Sequence, residues 1–510
     1  MPSATRLFRG TYRDSVSLMQ LSARVAALAG VEQASVVMAT PGNLELLRES
    51  GLLVDAAEAS PSDLLAVVRG ESAAAAEAAL AEVEQMLSAA RPDAQAAPAA
   101  GEPAPRSLQM GRDAMPEANL ALISAPGDYA AAEALKALRL GLHAMLFSDN
   151  VSLEDEAMLK REAAGRGLLV MGPDCGTAIV GGIPLGFANA VRRGAVGVVG
   201  ASGTGMQQVT VLVHRAGAGI SHALGTGSHD LSAAIGGATM LAALEELAGD
   251  EATKVIVLVS KPPAREVAQR VLERARRIPK PVVACFLGAP ASEVEGGNVV
   301  AAATLEEAAA RAAAAARGER ASPASSALPR FARPKLAPGR RFLRGLYSGG
   351  TFCYEATLLL SPALGEVSSN TPVGAARALE DPWRSTGHTL VDLGDDAFTR
   401  GRPHPMIDMR LRCERLVREA ADPETAVILL DVVLGYGAHA DPAAALVPAL
   451  REARATGGKP GAPAIVAFVC GTDADPQGLA RQEAALREAG AILAENNAQA
   501  ARVAAALLAR

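Results

Sequence analysis

The sequence is poor in large aromatic side chains. Only 3% of its 510 residues are Phe, Tyr or Trp, and there is a single Trp. Half of the residues are hydrophobic nonetheless, with Ala and Gly supplying much of the bulk, so helices and sheets are expected to pack closely on small side chains. A basic field is absent: the formal charge is −6 with both signs interspersed, which excludes the electrostatic footprint of a nucleic-acid binder. Five cysteines (175, 285, 353, 413, 470) are scattered without metal-ligand spacing. They read as reduced core thiols of a cytoplasmic protein, and no metal site is expected. Met1-Pro-Ser-Ala-Thr-Arg is followed by no apolar core of a signal peptide. No charge-free apolar run reaches ~18 residues, so no membrane span is expected.

What is there centres on residues 194–208. A Val-rich run, Gly194 to Gly200, reads as a buried parallel strand. The tight turn Ala201-Ser202-Gly203-Thr204-Gly205 follows, and Met206–Arg215 holds neither Pro nor Gly, so a helix can start at once. Strand, small-residue turn and helix N-terminus make an anion cradle: free backbone N–H groups, the positive end of the helix dipole, and glycines that admit an anion. The same stretch also reads as an ordinary turn in which Ser202 caps the helix and no ligand is needed. A second copy lies at 342–355, where an apolar strand runs into Ser348-Gly349-Gly350-Thr351 and a helix. The echo continues, with insertions, as Val255–Val259 against Val427–Asp431 and Val282–Gly288 against Ile465–Gly471. Two α/β units of one design, each with a cradle, suggest paired domains facing a shared anion.

In chain order, residues 1–90 alternate strand and helix signals and are expected to form a small α+β domain of ferredoxin-like type. Within them, Thr11–Met19 reads as a strand or the start of a strand–helix unit. Residues 91–118, rich in Ala, Pro and Gly, read as a linker. Residues 119–193 form a βαβαβ run. Its first turn, Ser124-Ala-Pro-Gly-Asp128, has one Gly behind a Pro and is no dinucleotide fingerprint. Residues 194–318 hold the first cradle, 319–340 a second linker, and 341–510 the second cradle. The fold expected is α/β: several three-layer Rossmann- or flavodoxin-like parallel-sheet domains behind the small N-terminal domain.

Residues 165–310 resemble the α subunit of succinyl-CoA synthetase, through Gly172-Pro-Asp-Cys175, Gly197 to Thr204, Gly225-Thr-Gly-Ser-His-Asp230, Val255–Val259 and Lys280-Pro-Val-Val-Ala284. Residues 385–510 resemble the carboxyl-terminal domain of that enzyme's β subunit, through Leu390-Val-Asp-Leu-Gly394, Val427–Asp431 and Gly471-Thr-Asp473. The whole arrangement is similar to the FdrA family of acyl-CoA synthetase-like proteins. The departures matter as much. The synthetases place a phosphohistidine loop after the strand equivalent to Val282–Leu287; here residues 288–298 contain no His. Their orienting Glu is replaced by the run Ser260-Lys261-Pro-Pro263. The CoA-binding turn in 119–193 is degraded, and no ATP-grasp half is present. A phosphate shuttle cannot run without its nucleophile. Both cradles survive, and they suit an acyl phosphate. The resemblance to FdrA therefore implies carbamoyl transfer between oxamate and phosphate, as in purine and allantoin breakdown. Phosphate or carbamoyl phosphate would be the substrate, with no certain cofactor, and other subunits encoded nearby would be partners in a hetero- or homo-oligomer. An ADP-forming acyl-CoA synthetase subunit and a non-catalytic scaffold are the alternatives.

The candidate phosphate ligands are thus Ser202, Gly203, Thr204, Gly205, Ser348, Gly349, Gly350 and Thr351. In the charged loop 394–405, Arg402 and His404 are candidate catalytic groups, one to hold a carboxylate or phosphate and one to polarise a carbonyl; a solvated loop with internal ion pairs is the plainer account. Arg400, Lys261 and His229 are further candidates for a substrate anion. His214 reads as packing or capping, and Cys175 as a buried small hydrophobe.

Overall fold

A computed structural model describes residues 2–53, 59–89, 105–319, 328–329, 331, 333–400, 402–456 and 461–509. They form two compact units, residues 1–170 with 398–408, and residues 171–397 with 409–510. Among the described residues no helix is long and apolar enough to cross a membrane.

The first unit opens on three antiparallel strands, Ser3–Phe8, Leu64–Gly70 and Val31–Met38, with Leu64–Gly70 in the middle. That strand is apolar on both faces, and both are covered. Leu64, Ala66 and Val68 pack with Leu18, Val25, Leu80 and Val83 from the helices Ser15–Ala26 and Ala73–Ala89. Leu65 and Val67 pack with Leu47 and Leu52. Thr11–Met19 is not a strand: Asp14 caps the helix Ser15–Ala26 by accepting from the Ser17 N–H. A second, three-stranded sheet follows (Leu120–Ile123, His143–Leu146, Val170–Met171) with the helices Gly127–Arg139 and Leu153–Arg166, as the βαβαβ pattern predicts. The linkers expected at 91–118 and 319–340 lie partly outside the described residues. Within the first, Leu108–Ala114 is a helix capped by Ser107.

The second unit is built on two seven-stranded sheets. The first runs in the order Val299–Ala301, Val282–Phe286, Val255–Ser260, Arg193–Ala201, Ile220–Gly225, Thr177–Val180, Ile183–Gly186. The last two strands form a hairpin joined antiparallel to Ile220–Gly225 through Ala223 and Ile179. A boundary at 193 is therefore corrected: residues 177–186 belong to the sheet of the first cradle. The second sheet runs Arg377–Ala378, Val367–Ser369, His388–Asp392, Phe342–Tyr347, Thr425–Val433, Ala464–Cys470, Ile492–Ala494, all parallel. The sequence repeat is a repeat of strand order, since the strand before each cradle has the same run of neighbours on one side. In both sheets the chain reverses its direction of travel beside that strand. This is the switch point, where the carboxyl ends of parallel strands leave a crevice.

Cross-bonds between the two sheet layers are dense and polar. Arg215, at the end of the first cradle helix, donates to the carbonyls of Gly471, Val469 and Glu495. His214 is a packing residue: its Nδ1 accepts from the Arg192 N–H and its Nε2 meets Asp473 at 2.7 Å. Asn189 Nδ2 donates to Asp475 and to the Leu434 carbonyl. Glu355, inside the second cradle helix, accepts from the Leu305 N–H at 2.8 Å and from Asn497 at 2.7 Å. Burial pushes the Glu355 carboxyl up to about 7 against those two donors. The folded state then binds more protons than the unfolded chain between roughly pH 4.5 and 7, so its stability is full below that window and is lost as pH rises through it. The slope is worth ~3 kcal/mol for this group. Glu355→Gln should flatten the fall of melting temperature between pH 5 and 7; an unchanged slope would assign it to another group.

Candidate functional site

The site grows from the strand Arg193–Ala201. Its Val196, Val198 and Val199 are fully buried, and it ends at a turn from which the first cradle helix, Gly203–Arg215, departs. Ser202 is the N-cap, its Oγ accepting from the Gly205 N–H at 3.2 Å. The plainer reading of this serine is therefore correct as far as it goes. The same Oγ also lies 2.7 Å from Thr351 Oγ1, on the second cradle helix, Gly350–Leu364. A Cβ on Gly349 would come within 2.9 Å of Thr204 Cγ2. The two helix N-termini are thus in van der Waals contact, far inside the ~10 Å over which salt screens charges.

The two ends are not equivalent. In the second, Asp431, two residues before the end of the apolar strand Thr425–Val433, accepts from the Ser348 N–H (2.9 Å), the Ser348 hydroxyl (2.8 Å) and the Gly349 N–H (2.9 Å). Arg412 donates to the same carboxylate at 2.5 Å, and neither side chain is exposed. Half of the expected second cradle is accordingly filled by the protein's own carboxylate, which corrects Ser348 and Gly349 as ligands of a free anion. Four N–H groups remain, those of Gly203, Thr204, Gly350 and Thr351, first-turn donors with no i−4 carbonyl and no hydrogen bond among the described residues. Ser202, Thr204 and Thr351 are buried; Gly203 is exposed and Gly350 half-buried, so solvent reaches the junction at the two glycines.

Lys261 stands at the carboxyl end of Val255–Ser260, half-buried, with Nζ 5.8 Å from the Tyr354 ring centroid and no ion pair among the described residues. Its charge acts on Asp392 and Cys353 of the second sheet's side. Cys353 is raised well out of the reactive range by burial, and Cys175 is a buried thiol directed at the Thr177 carbonyl. His229 is exposed on the loop after Ile220–Gly225, beside Asp230, which caps the helix Ala238–Gly249. Arg400, Arg402 and His404 lie on the segment that follows the short helix Asp396–Thr399. Residues 398–408 belong to the first compact unit, where His404 Nδ1 accepts from the Met406 N–H. Sequence reasoning missed Asp431, Arg412 and Asp392. The two acids did leave a signal, Asp392 ending an apolar strand and Asp431 interrupting one near its carboxyl end. Arg412 lies in a helix with Arg at 410, 412, 415 and 418, which looks like a solvated face.

Three family models match this chain: the CoA-ligase model over residues 346–507, the AllF heavy metal-associated domain over 1–104, and the CoA-binding domain over 191–288. The chain is 45% identical over 493 residues to the Escherichia coli (strain K12) protein YahF, covering 96% of this chain and 95% of that one. The chain belongs to the FdrA family. Solved structures similar to this FdrA-family chain include PH0766 from Pyrococcus horikoshii OT3 (TM-score 0.34, 16% identical, 81% of this chain and 87% of that one). The dinucleotide-forming acetyl-coenzyme A synthetase 1 of Ca. Korarchaeum cryptofilum is another (TM-score 0.30, 16% identical, 76% and 82%).

The family models imply two groups that the residues must be tested against. A heavy metal does not fit the N-terminal domain, since residues 1–104 contain neither Cys nor His and no cluster of metal-ligating residues occurs among the described residues. A CoA phosphate does not fit the first turn of residues 119–193. A Cβ on Gly127 would meet the Asp149 and Asn150 carbonyls at 2.4 and 2.7 Å, and Asp128 opens the helix. The turn's glycine is spent on close packing under carbonyl oxygens, which repel an anion. The CoA-binding model instead covers the Ser202–Gly205 turn.

Proposed function

We propose that this FdrA-family chain is the acyl-phosphate-handling subunit of a cytoplasmic carbamoyltransferase, with other subunits completing the enzyme. The observation that carries the reading is the contact of two helix N-termini with four N–H groups left over. Each N-terminus carries roughly half a positive charge, and although Asp431 takes the Ser348 and Gly349 donors of the second, the four remaining N–H groups are left for a dianion to accept from. Lys261 adds a full charge from the same end of the sheet. Thr204 and Thr351 add hydroxyls.

The reaction this suits is attack of a phosphate oxygen on the carbamoyl carbon of oxalurate. The O–C bond forms, the C–N bond to oxamate breaks, and the proton of hydrogen phosphate passes to the departing nitrogen. Charge is conserved without ATP, CoA or a phosphorylated residue, which accords with a 288–298 loop that holds no His. Electrostatic preorganisation toward the transferring group supplies the rate. Incubating the chain and its operon partners with oxalurate and phosphate should yield carbamoyl phosphate. No carbamoyl phosphate under any partner combination would sink the reading. The matches to CoA-binding and CoA-ligase models favour a second reading, an ADP-forming acyl-CoA synthetase subunit. A CoA thioester formed in the same mixtures, with ATP and CoA present, would establish that one instead.

A further inference from the structure

A buried carboxylate, Asp392, stands beside the junction. Asp392 ends the strand His388–Asp392 and is 7% exposed. Its backbone is held on both sides by Asn370, which accepts from the Asp392 N–H at 2.9 Å and donates to its carbonyl at 3.0 Å. Oδ1 accepts from the Gly394 N–H at 2.9 Å. Oδ2 takes no hydrogen bond among the described residues, and it is aimed at the second cradle helix: a Cβ on Gly350 would lie 2.4 Å from it. A carboxylate oxygen that has no protein donor, in a side chain that keeps only a small opening to solvent, is poorly solvated for a charged group.

A bound dianion makes the arrangement worse unless the carboxyl changes state. Two anionic groups a few ångströms apart in a poorly hydrated site do not both stay ionised; one takes a proton and becomes a donor to the other. We propose that Asp392 is the proton-holding acid of the anion site, protonated when a phosphate-class dianion occupies the helix N-termini and donating Oδ2–H to one of its oxygens. This rests on the reading that the junction binds such an anion, and it names the residue that holds a proton beside the transferring group.

The surroundings agree. The charged and titratable groups acting on Asp392 are Lys261 from the facing sheet, Asp395 on its own loop and Asp431 from the strand two places along the sheet, with the Cys353 thiol on the cradle helix. Burial is the largest influence and pushes Asp392 up to about 6, with Lys261 and the Gly394 N–H pulling it down and the two acids adding to the rise. At pH 7.5 the empty site thus holds mainly the carboxylate, within reach of a proton once a dianion arrives.

The test uses sulfate, which stays a dianion from pH 5.5 to 8.5, so that any proton taken up on binding goes to the protein. Titration calorimetry of the full chain, in two buffers of different ionisation enthalpy, should show uptake of close to one proton per sulfate at pH 7.5. Affinity should fall towards ~10-fold per pH unit above that. Asp392→Asn should bind sulfate with uptake near zero. Lys261→Met, which leaves the acid in place, should move the onset of uptake to higher pH. Sulfate binding without proton uptake, uptake that survives in Asp392→Asn, or an onset unmoved in Lys261→Met overturns the role of Asp392 and leaves the anion site standing. If the unaltered chain binds neither sulfate nor phosphate, the anion site itself is wrong and the acid falls with it.

Discussion

Arg412→Met should cost ~3–5 kcal/mol of unfolding free energy, the range for a buried ion pair broken from one side. The guanidinium is fully buried, and its Nη2 reaches the Leu346 carbonyl, the Asp431 carbonyl and the Asp431 carboxylate. Met fills much of the volume but leaves Asp431 with three neutral donors and no counter-charge. The double variant Arg412→Met/Asp431→Asn should recover a large part of the loss, because an Asn oxygen still accepts from the Ser348 N–H and no charge is stranded. Urea unfolding of both variants measures the difference. A loss below ~1 kcal/mol in the single variant would show that the backbone and hydroxyl donors of Ser348 and Gly349 alone sustain the carboxylate.

Gly203→Asp should leave the fold intact and abolish stabilisation by phosphate. The position is exposed, and a Cβ there meets nothing closer than Thr177 Oγ1 at 3.3 Å. An acidic residue in the first turn of a helix is itself favourable by a few tenths of a kcal/mol, so the basal melting temperature should hold or rise. The unaltered chain should gain ~2.7 kcal/mol at a phosphate concentration 100 times Kd, and the variant nothing, since its own carboxylate stands where the anion would. Gly203→Ala should respond like the unaltered chain. Phosphate stabilisation that survives in Gly203→Asp would remove the first helix from the site. The equivalent change at Gly350 is not a clean probe, since any Cβ there collides with Asp392 Oδ2.

Legibility followed the range of the interactions. The first cradle could be read because its parts are neighbours in the chain: Val196–Val199 as strand, Ser202 as cap, an unbroken run as helix. Repetition then exposed the second. The strand Ser3–Phe8 was not read, because Thr5 and Arg6 interrupt its apolar pattern and its partner Leu64–Gly70 lies far along the chain. The boundary at 193 puts residues 177–186 with the preceding strands for the same reason, since the pairing of their hairpin with Ile220–Gly225 is invisible locally. Ser348 looked like a phosphate ligand until the fold brought Asp431, 83 residues away, onto the same donors. Sequence shows that a donor exists; only the fold shows that it is already engaged. His404 and Arg402 stand out by local charge, in a segment that is grouped with the first unit.

The junction of the two helix N-termini also fixes how its assembly depends on dilution. Ser202 and Thr351 sit on one polypeptide, 149 residues apart, so bringing the two halves together is a unimolecular step. Tethering of this kind corresponds to a local concentration in the millimolar range or above, which no plausible expression level of separate chains would match. Loss of the junction on dilution is therefore not expected at any protein concentration, and response to the anion should be first order in this chain, whatever order the recruitment of further subunits imposes on turnover.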